Sequence, residues 1–105
     1  MTARKTMVVK IGSSTLVEDG ELRRDFISAL ASQARDLREA GWNLVVVSSG
    51  AIACGAPLLG FERRPVDMPS LQACASVGQC VLSAAYDEEF RAVGLLTSLV
   101  LLTRR

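Results

Sequence analysis

The sequence predicts an α/β fold, a parallel sheet enclosed in an αβα sandwich. Short β-branched runs alternate along the chain with longer stretches whose apolar residues recur every three or four positions. The run Leu44–Val47 has no polar alternation, as expected of a strand covered on both faces. Half of the 105 residues are hydrophobic and 22% are charged, which suits one core-forming domain and excludes a disordered tail.

The elements follow in order. Met7-Val8-Val9-Lys10-Ile11 reads as a buried strand entering the turn Gly12-Ser13-Ser14. From Glu21 to Ala40 the positions Leu22, Phe26, Leu30, Ala34 and Leu37 form the apolar stripe of an amphipathic helix, with Arg24, Asp25, Arg35 and Glu39 off it and Gly41 as its stop. Leu44–Val47 is the second strand and ends in Ser48-Ser49-Gly50, after which Ala51–Cys54 opens another helix. Gly55 to Pro69, rich in proline and carrying the solvated pair Arg63-Arg64, reads as an irregular connection. Ser70 or Asp67 caps a long helix running to about Val93, with Leu71, Cys74, Val77, Val81, Leu82 and Ala85 on its inner side. Gly94 stops it, and Leu95–Leu102 supplies a third strand. A strand–helix–strand series of this kind implies parallel strands joined by crossovers. The last strand has no covering helix after it, so residues 1–105 read as the front part of a larger fold.

Composition narrows the chemistry. Twelve basic against eleven acidic residues leave a net charge of +1, which points to neither a nucleic-acid nor a membrane-surface partner. Histidine is absent, and with it the commonest general base and the commonest neutral metal ligand. Cys54, Cys74 and Cys80 are odd in number and have no CxxC spacing, so no metal site is expected and packing in a reducing cytoplasm is the reading for them. The N-terminal apolar run meets Lys10 too soon for a signal peptide, and Leu99–Leu102 is too short to span a bilayer. A cytoplasmic protein is the expectation.

In an open parallel sheet, ligands bind beyond the carboxyl ends of the strands. Two small-residue turns lie there. In Lys10-Ile11-Gly12-Ser13-Ser14, glycine lets the backbone approach a phosphate, the serines add donors and successive amides form an anion-binding nest. Lys10 then serves an anionic partner or, equally, is an edge-strand lysine whose ammonium reaches water. In Ser48-Ser49-Gly50-Ala51, a helix N-terminus faces the cleft and suits a carboxylate or phosphate, although serine and glycine are also ordinary N-cap residues. There is no G-x-x-x-x-G-K-[ST], no G-x-G-x-x-G and no G-x-S-x-G elbow. Phosphoryl transfer, which relies on positioning and charge neutralisation more than on a general base, fits what remains.

Val8–Ser14, Val45–Ala53, Gln72-Ala73-Cys74-Ala75-Ser76-Val77-Gly78-Gln79 and Leu101–Arg104 together resemble the N-terminal part of the glutamate-phosphorylating branch of the amino acid kinase family, in that family's order and spacing. The resemblance implies an amino-acid-kinase-like domain of which residues 1–105 are the N-terminal portion. It implies phosphorylation of the L-glutamate side-chain carboxylate by ATP with Mg²⁺, giving γ-glutamyl phosphate, the first step towards proline. It assigns the transferring phosphate to Lys10, the phosphoryl oxygens to Gly12 and Ser13, and glutamate to Ser49, Gly50 and Ala51. It further implies a homo-oligomer, with the Gln72–Gln79 region near a subunit interface. The adenine pocket, the acidic and asparagine residues completing the glutamate site and a second lysine belong to a later part of the family's domain. Two alternatives stay open: a non-catalytic fragment or assembly module binding through its sheet edge, and a related kinase acting on another small acid such as N-acetylglutamate or aspartate.

Overall fold

A computed structural model describes residues 4–97. Strands β1 (Lys5–Ile11) and β4 (Trp42–Ser48) pair in parallel, from Lys5 opposite Trp42 to Ile11 opposite Ser48. Between them lie a one-turn helix α1 (Ser13–Leu16), a two-residue-strand hairpin of β2 (Val17–Glu18) and β3 (Glu21–Leu22), and the crossover helix α2 (Arg24–Glu39). Helices α3 (Ala51–Leu58) and α4 (Met68–Ala92) follow β4. The class is α/β with a parallel strand pair, as the alternating hydrophobic periods require. Among the described residues no helix is long and apolar enough to cross a membrane.

The hairpin shortens the helix expected from Glu21. Asp19 and Gly20 both take positive φ (52° and 77°), the backbone of a tight Asp-Gly reversal, so Glu21 and Leu22 pair with Glu18 and Val17 instead of starting the helix. Arg23 N–H donates to the Leu16 carbonyl at 2.7 Å and ties the hairpin off. The buried stripe of α2 is therefore Ile27, Leu30, Ala31 and Ala34, with Phe26 at its margin. That stripe shares one core with Ile11, Leu16, Leu82, Ala85 and Phe90, against which Val9, Leu44 and Val46 also pack.

Because α2 and α4 contribute to that single core, the sheet is covered on one face only among the described residues. Val8, Val45 and Val47 are 61%, 47% and 44% exposed on the other, which corrects the expectation that both faces of Leu44–Val47 are covered. The irregular connection also starts later than expected. α3 continues through Pro57 to Leu58, because proline in the last turn removes only one ladder bond and the Leu59, Gly60 and Phe61 amides close the end. Arg63 and Arg64 are exposed, as expected. Asp67 caps α4 by accepting from the Ser70 amide at 3.0 Å, and the amides of Gly94 and Leu95 donate back to Arg91 and Phe90, both at 2.9 Å, to end it. Leu95–Thr97 are irregular, and the remainder of the expected third strand lies outside the described residues.

α3 and α4 cross backbone to backbone. A Cβ on Gly55 would collide with the Cys74 carbonyl, and one on Gly78 with the Ala51 carbonyl. Gly78→Ala is thus expected to lower stability by about 1–3 kcal/mol, despite the roughly 1 kcal/mol that alanine ordinarily gains over glycine in a helix. Urea unfolding of the pair measures this, and a raised midpoint would refute the close crossing.

Hydrogen bonding from Ser70, hydroxyl and amide, holds the Asp67 carboxyl below the usual carboxylate range. A lowered folded-state pKa stabilises above the unfolded value and is lost as pH falls through the folded one. The stability gap between the wild type and Asp67→Ala should therefore be full near neutrality and close in acid, as followed by thermal melts across pH; a gap independent of pH contradicts the cap.

Candidate functional site

The parallel register makes β1 and β4 end together, with Ile11 beside Ser48. The two turns that leave these ends are bonded to each other. The Ser49 amide donates to the Ile11 carbonyl at 3.0 Å, and the Ser49 hydroxyl donates to the same oxygen at 3.2 Å. Gly50 has φ 103°, and a Cβ there would lie 3.5 Å from Ser13 Cα and 3.6 Å from Val17 Cγ2. The second turn thus rests directly on the first, and the two form one rim.

The rim is rich in donors. Neither Gly12 nor Gly50, the N-caps of α1 and α3, is served by a side chain, and neither helix has an acidic residue in its first turn. The first ladder bond of α3 is Cys54 N–H to the Gly50 carbonyl at 2.9 Å, which leaves the Ala51, Ile52 and Ala53 amides without a helix partner at the positive end of the helix dipole. In α1 the Thr15 and Leu16 amides donate to the Gly12 carbonyl, leaving those of Ser13 and Ser14. Gly12 is extended (φ −80°, ψ 160°), a conformation open to any residue, so glycine is not needed there for the backbone. What it contributes is room: among the described residues no atom would come within 4 Å of a Cβ at Gly12. Gly12, Ser13, Ser14 and Ser49 are exposed, and Ala51 is half-buried.

Lys10 stands at the same end of the sheet, opposite Val47, one position before Ile11 enters the core. Strand alternation puts it on the uncovered face with Val8. It is exposed and makes no ion pair among the described residues. The structure therefore brings Gly12, Ser13, Ser49, Gly50 and Ala51 into one rim, with Lys10 beside it on the open face. No cluster of three or more metal-binding side chains occurs among the described residues. The set suits phosphate oxygens and a carboxylate, and offers no carboxylate cage to a cation.

One contact at the rim has no counterpart in the expectations from sequence. The Tyr86 hydroxyl, from α4, donates to Ser48 Oγ at 3.0 Å. Burial pushes the Tyr86 phenol above its ordinary pKa, and the bond to Ser48 acts the other way. The only signal in the sequence is a lone tyrosine next to core residue Ala85, since a half-buried phenol needs a polar partner. The cysteines divide. Cys54 and Cys74 are buried, and burial pushes the Cys54 thiol up, away from reactivity. Cys80 is exposed, which corrects its assignment to packing, because it falls on the outer side of α4.

A βαβ frame whose parallel strand ends carry two joined, uncapped glycine–serine turns defines an α/β protein with its free backbone donors gathered at one edge of the sheet. The chain belongs to the amino acid kinase family, whose model matches residues 5–105. It is similar to "Glutamate 5-kinase 2" of Bacillus subtilis (strain 168), 45% identical over 104 residues, covering 98% of this chain and 28% of that protein. It is also similar to the glutamate 5-kinases of Cupriavidus taiwanensis (48% over 100 residues, 94% of this chain and 27% of that one) and Geobacter metallireducens (45% over 101 residues, 95% and 27%). The chain spans little more than a quarter of the length of these curated relatives.

The two rim glycines should respond oppositely to substitution. Gly50→Ala forces a side chain into the left-handed region and is expected to cost about 1–2 kcal/mol, read as a melting temperature lower by roughly 4–8 °C per kcal/mol. Gly12→Ala should leave the melting temperature within the scatter of surface substitutions, about 0.5 kcal/mol. Equal losses at both positions would contradict the open space at Gly12.

Proposed function

We propose that this chain carries the phosphate-gripping and acid-holding rim of a kinase that transfers the γ-phosphoryl group of ATP to the side-chain carboxylate of L-glutamate, giving γ-glutamyl phosphate and ADP at the entry to proline biosynthesis. The observation that carries this reading is the bonding of Ser49 to Ile11, which fixes a phosphate-type turn and a carboxylate-type turn at one edge. The relatives' printed name, glutamate 5-kinase, supplies the acid and the reaction class.

On this reading the Lys10 ammonium offsets negative charge on the transferred phosphoryl oxygens. The exposed Gly12 and Ser13 backbone, with no side chain in the way, follows the phosphates closely. Ser49, Gly50 and Ala51 hold the glutamate, positioning its side-chain carboxylate in line with the phosphorus. The Ser49 hydroxyl donates to Ile11, so its lone pairs are what it presents to a substrate ammonium. A magnesium ion would supply charge neutralisation on the phosphate oxygens when bound; among the described residues no group of three or more histidine, cysteine, aspartate or glutamate side chains is placed to hold it.

The finer architecture belongs to the same proposal. Residues 1–105 form the N-terminal portion of an αβα sandwich in which further helices cover the face bearing Val8, Val45 and Val47. A cytoplasmic homo-oligomer is the working form. That open face also favours a second reading, a non-catalytic module that assembles through its sheet; sedimentation as a lone monomer would count against it.

The test replaces the matching segment of the Bacillus subtilis relative by this chain and follows hydroxamate formation from glutamate and ATP. The chimera should be active, Lys10→Ala should lower kcat by roughly 100-fold or more, and Gly12→Ala should raise the KM for ATP by about tenfold, the worth of roughly one hydrogen bond. A Lys10→Ala chimera with undiminished turnover would remove that residue from the reaction, and an inactive chimera would count against the proposal as a whole.

A further inference from the structure

We infer that Tyr86 is a positioning residue for the glutamate-holding turn: through the Ser48 hydroxyl it sets the direction of the Ser49–Gly50 peptide and thereby the affinity for the small acid. The statement about affinity rests on the function proposed above, whereas the coupling of Tyr86 to the turn does not.

Ser48 is the last residue of β4 and exposed, so its hydroxyl would rotate freely unless something held it. The Tyr86 hydroxyl, 38 residues further along the chain, donates to it at 3.0 Å. The Ser48 hydroxyl in turn donates to the Ser49 carbonyl at 3.2 Å. Ser49 is therefore fixed at both ends, its amide bonded to Ile11 and its carbonyl to Ser48. In a planar trans peptide the carbonyl and the following N–H point in opposite directions, so holding the Ser49 carbonyl aims the Gly50 amide. That amide leads directly into the uncapped start of α3.

The phenol has rigid support on its own side. The Tyr86 ring packs against the core and lies 6.1 Å from the Phe90 ring at 56°. Its helix, α4, is locked onto α3 where Gly78 meets the Ala51 carbonyl and Gly55 meets Cys74. The start of α3 is thus held twice from α4, by backbone contact at Gly78 and by the polar relay from Tyr86. A hydroxyl placed at the end of such a relay acts on direction; the ring alone would suffice for packing.

Tyr86→Phe keeps the ring and removes only that hydroxyl. In the 105-residue chain labelled with ¹⁵N, Tyr86→Phe is expected to shift the Ser49, Gly50 and Ala51 amide resonances while leaving those of Ile27 and Ala31 in the α2 core in place. Unchanged rim resonances would overturn the positioning role. In the chimera, Tyr86→Phe should raise the KM for glutamate by about five- to tenfold, the loss of one hydrogen bond, with kcat and the KM for ATP changed less than about twofold. Ser48→Ala should do the same, and the double variant should be no worse than either single one, since both interrupt one relay. Additive effects, or equal changes in both KM values, would overturn the inference. An inactive unsubstituted chimera would sink the glutamate reading alone, and the resonance shifts would then decide Tyr86.

Discussion

The Ile11 carbonyl is the point on which the arrangement depends. It lies at the end of β1, where a strand oxygen ordinarily meets water, and instead accepts both the amide and the hydroxyl of Ser49. Two parallel strands separated by a hairpin and a 16-residue helix thereby finish in a single bonded corner. Without that corner the turns after β1 and β4 would be neighbours with no fixed distance between them, and the phosphoryl transfer proposed for them would lose its geometry. Gly50 completes the joint by taking φ 103°, a backbone that residues with side chains rarely adopt, within van der Waals reach of Ser13.

The second constraint is the glycine crossing of α3 and α4. A helix of eight residues has little stability of its own, and α3 contains Pro57. Its orientation, and so the aim of its unpaired amides, comes from being laid against α4 at Gly55 and Gly78. α4 has the length and the Asp67 cap to serve as the rigid partner, and it enters the core through Leu82, Ala85 and Phe90. The chain of support runs from hydrophobic core to α4, from α4 to α3, and from α3 to the rim. This order ties the rim to the hydrophobic core through two helices.

Much of this was legible in the sequence because it is local. The β-branched runs around Val8 and Val46, the stop at Gly94 and the cap at Asp67 each follow from residues within a few positions of one another. The convergence of Gly12, Ser13, Ser49 and Gly50 followed from parallel order alone, since parallel strands present their carboxyl ends to one edge. What was not legible is non-local or competitive. Leu22 suits the stripe of α2 by period, but the Asp19-Gly20 reversal claims it for a strand, and Ile27 and Ala31 join the expected Leu30 and Ala34 in the buried stripe. Val45 and Val47 look like doubly covered strand residues, yet coverage depends on how many helices reach each face. The Tyr86–Ser48 bond joins residues 38 apart, and nothing in either neighbourhood encodes the other.

The most direct test of the joined rim is hydrogen exchange at the Ser49 amide. If that N–H is bonded to the Ile11 carbonyl, it should be protected to the degree of the β1–β4 ladder amides, such as that of Val47, which strand alternation turns to the same side, even though Ser49 lies beyond the strand in an exposed turn. Exchange at the rate of an unstructured serine, with Val47 still protected, would mean that the two turns are separate and would contradict the account at its root.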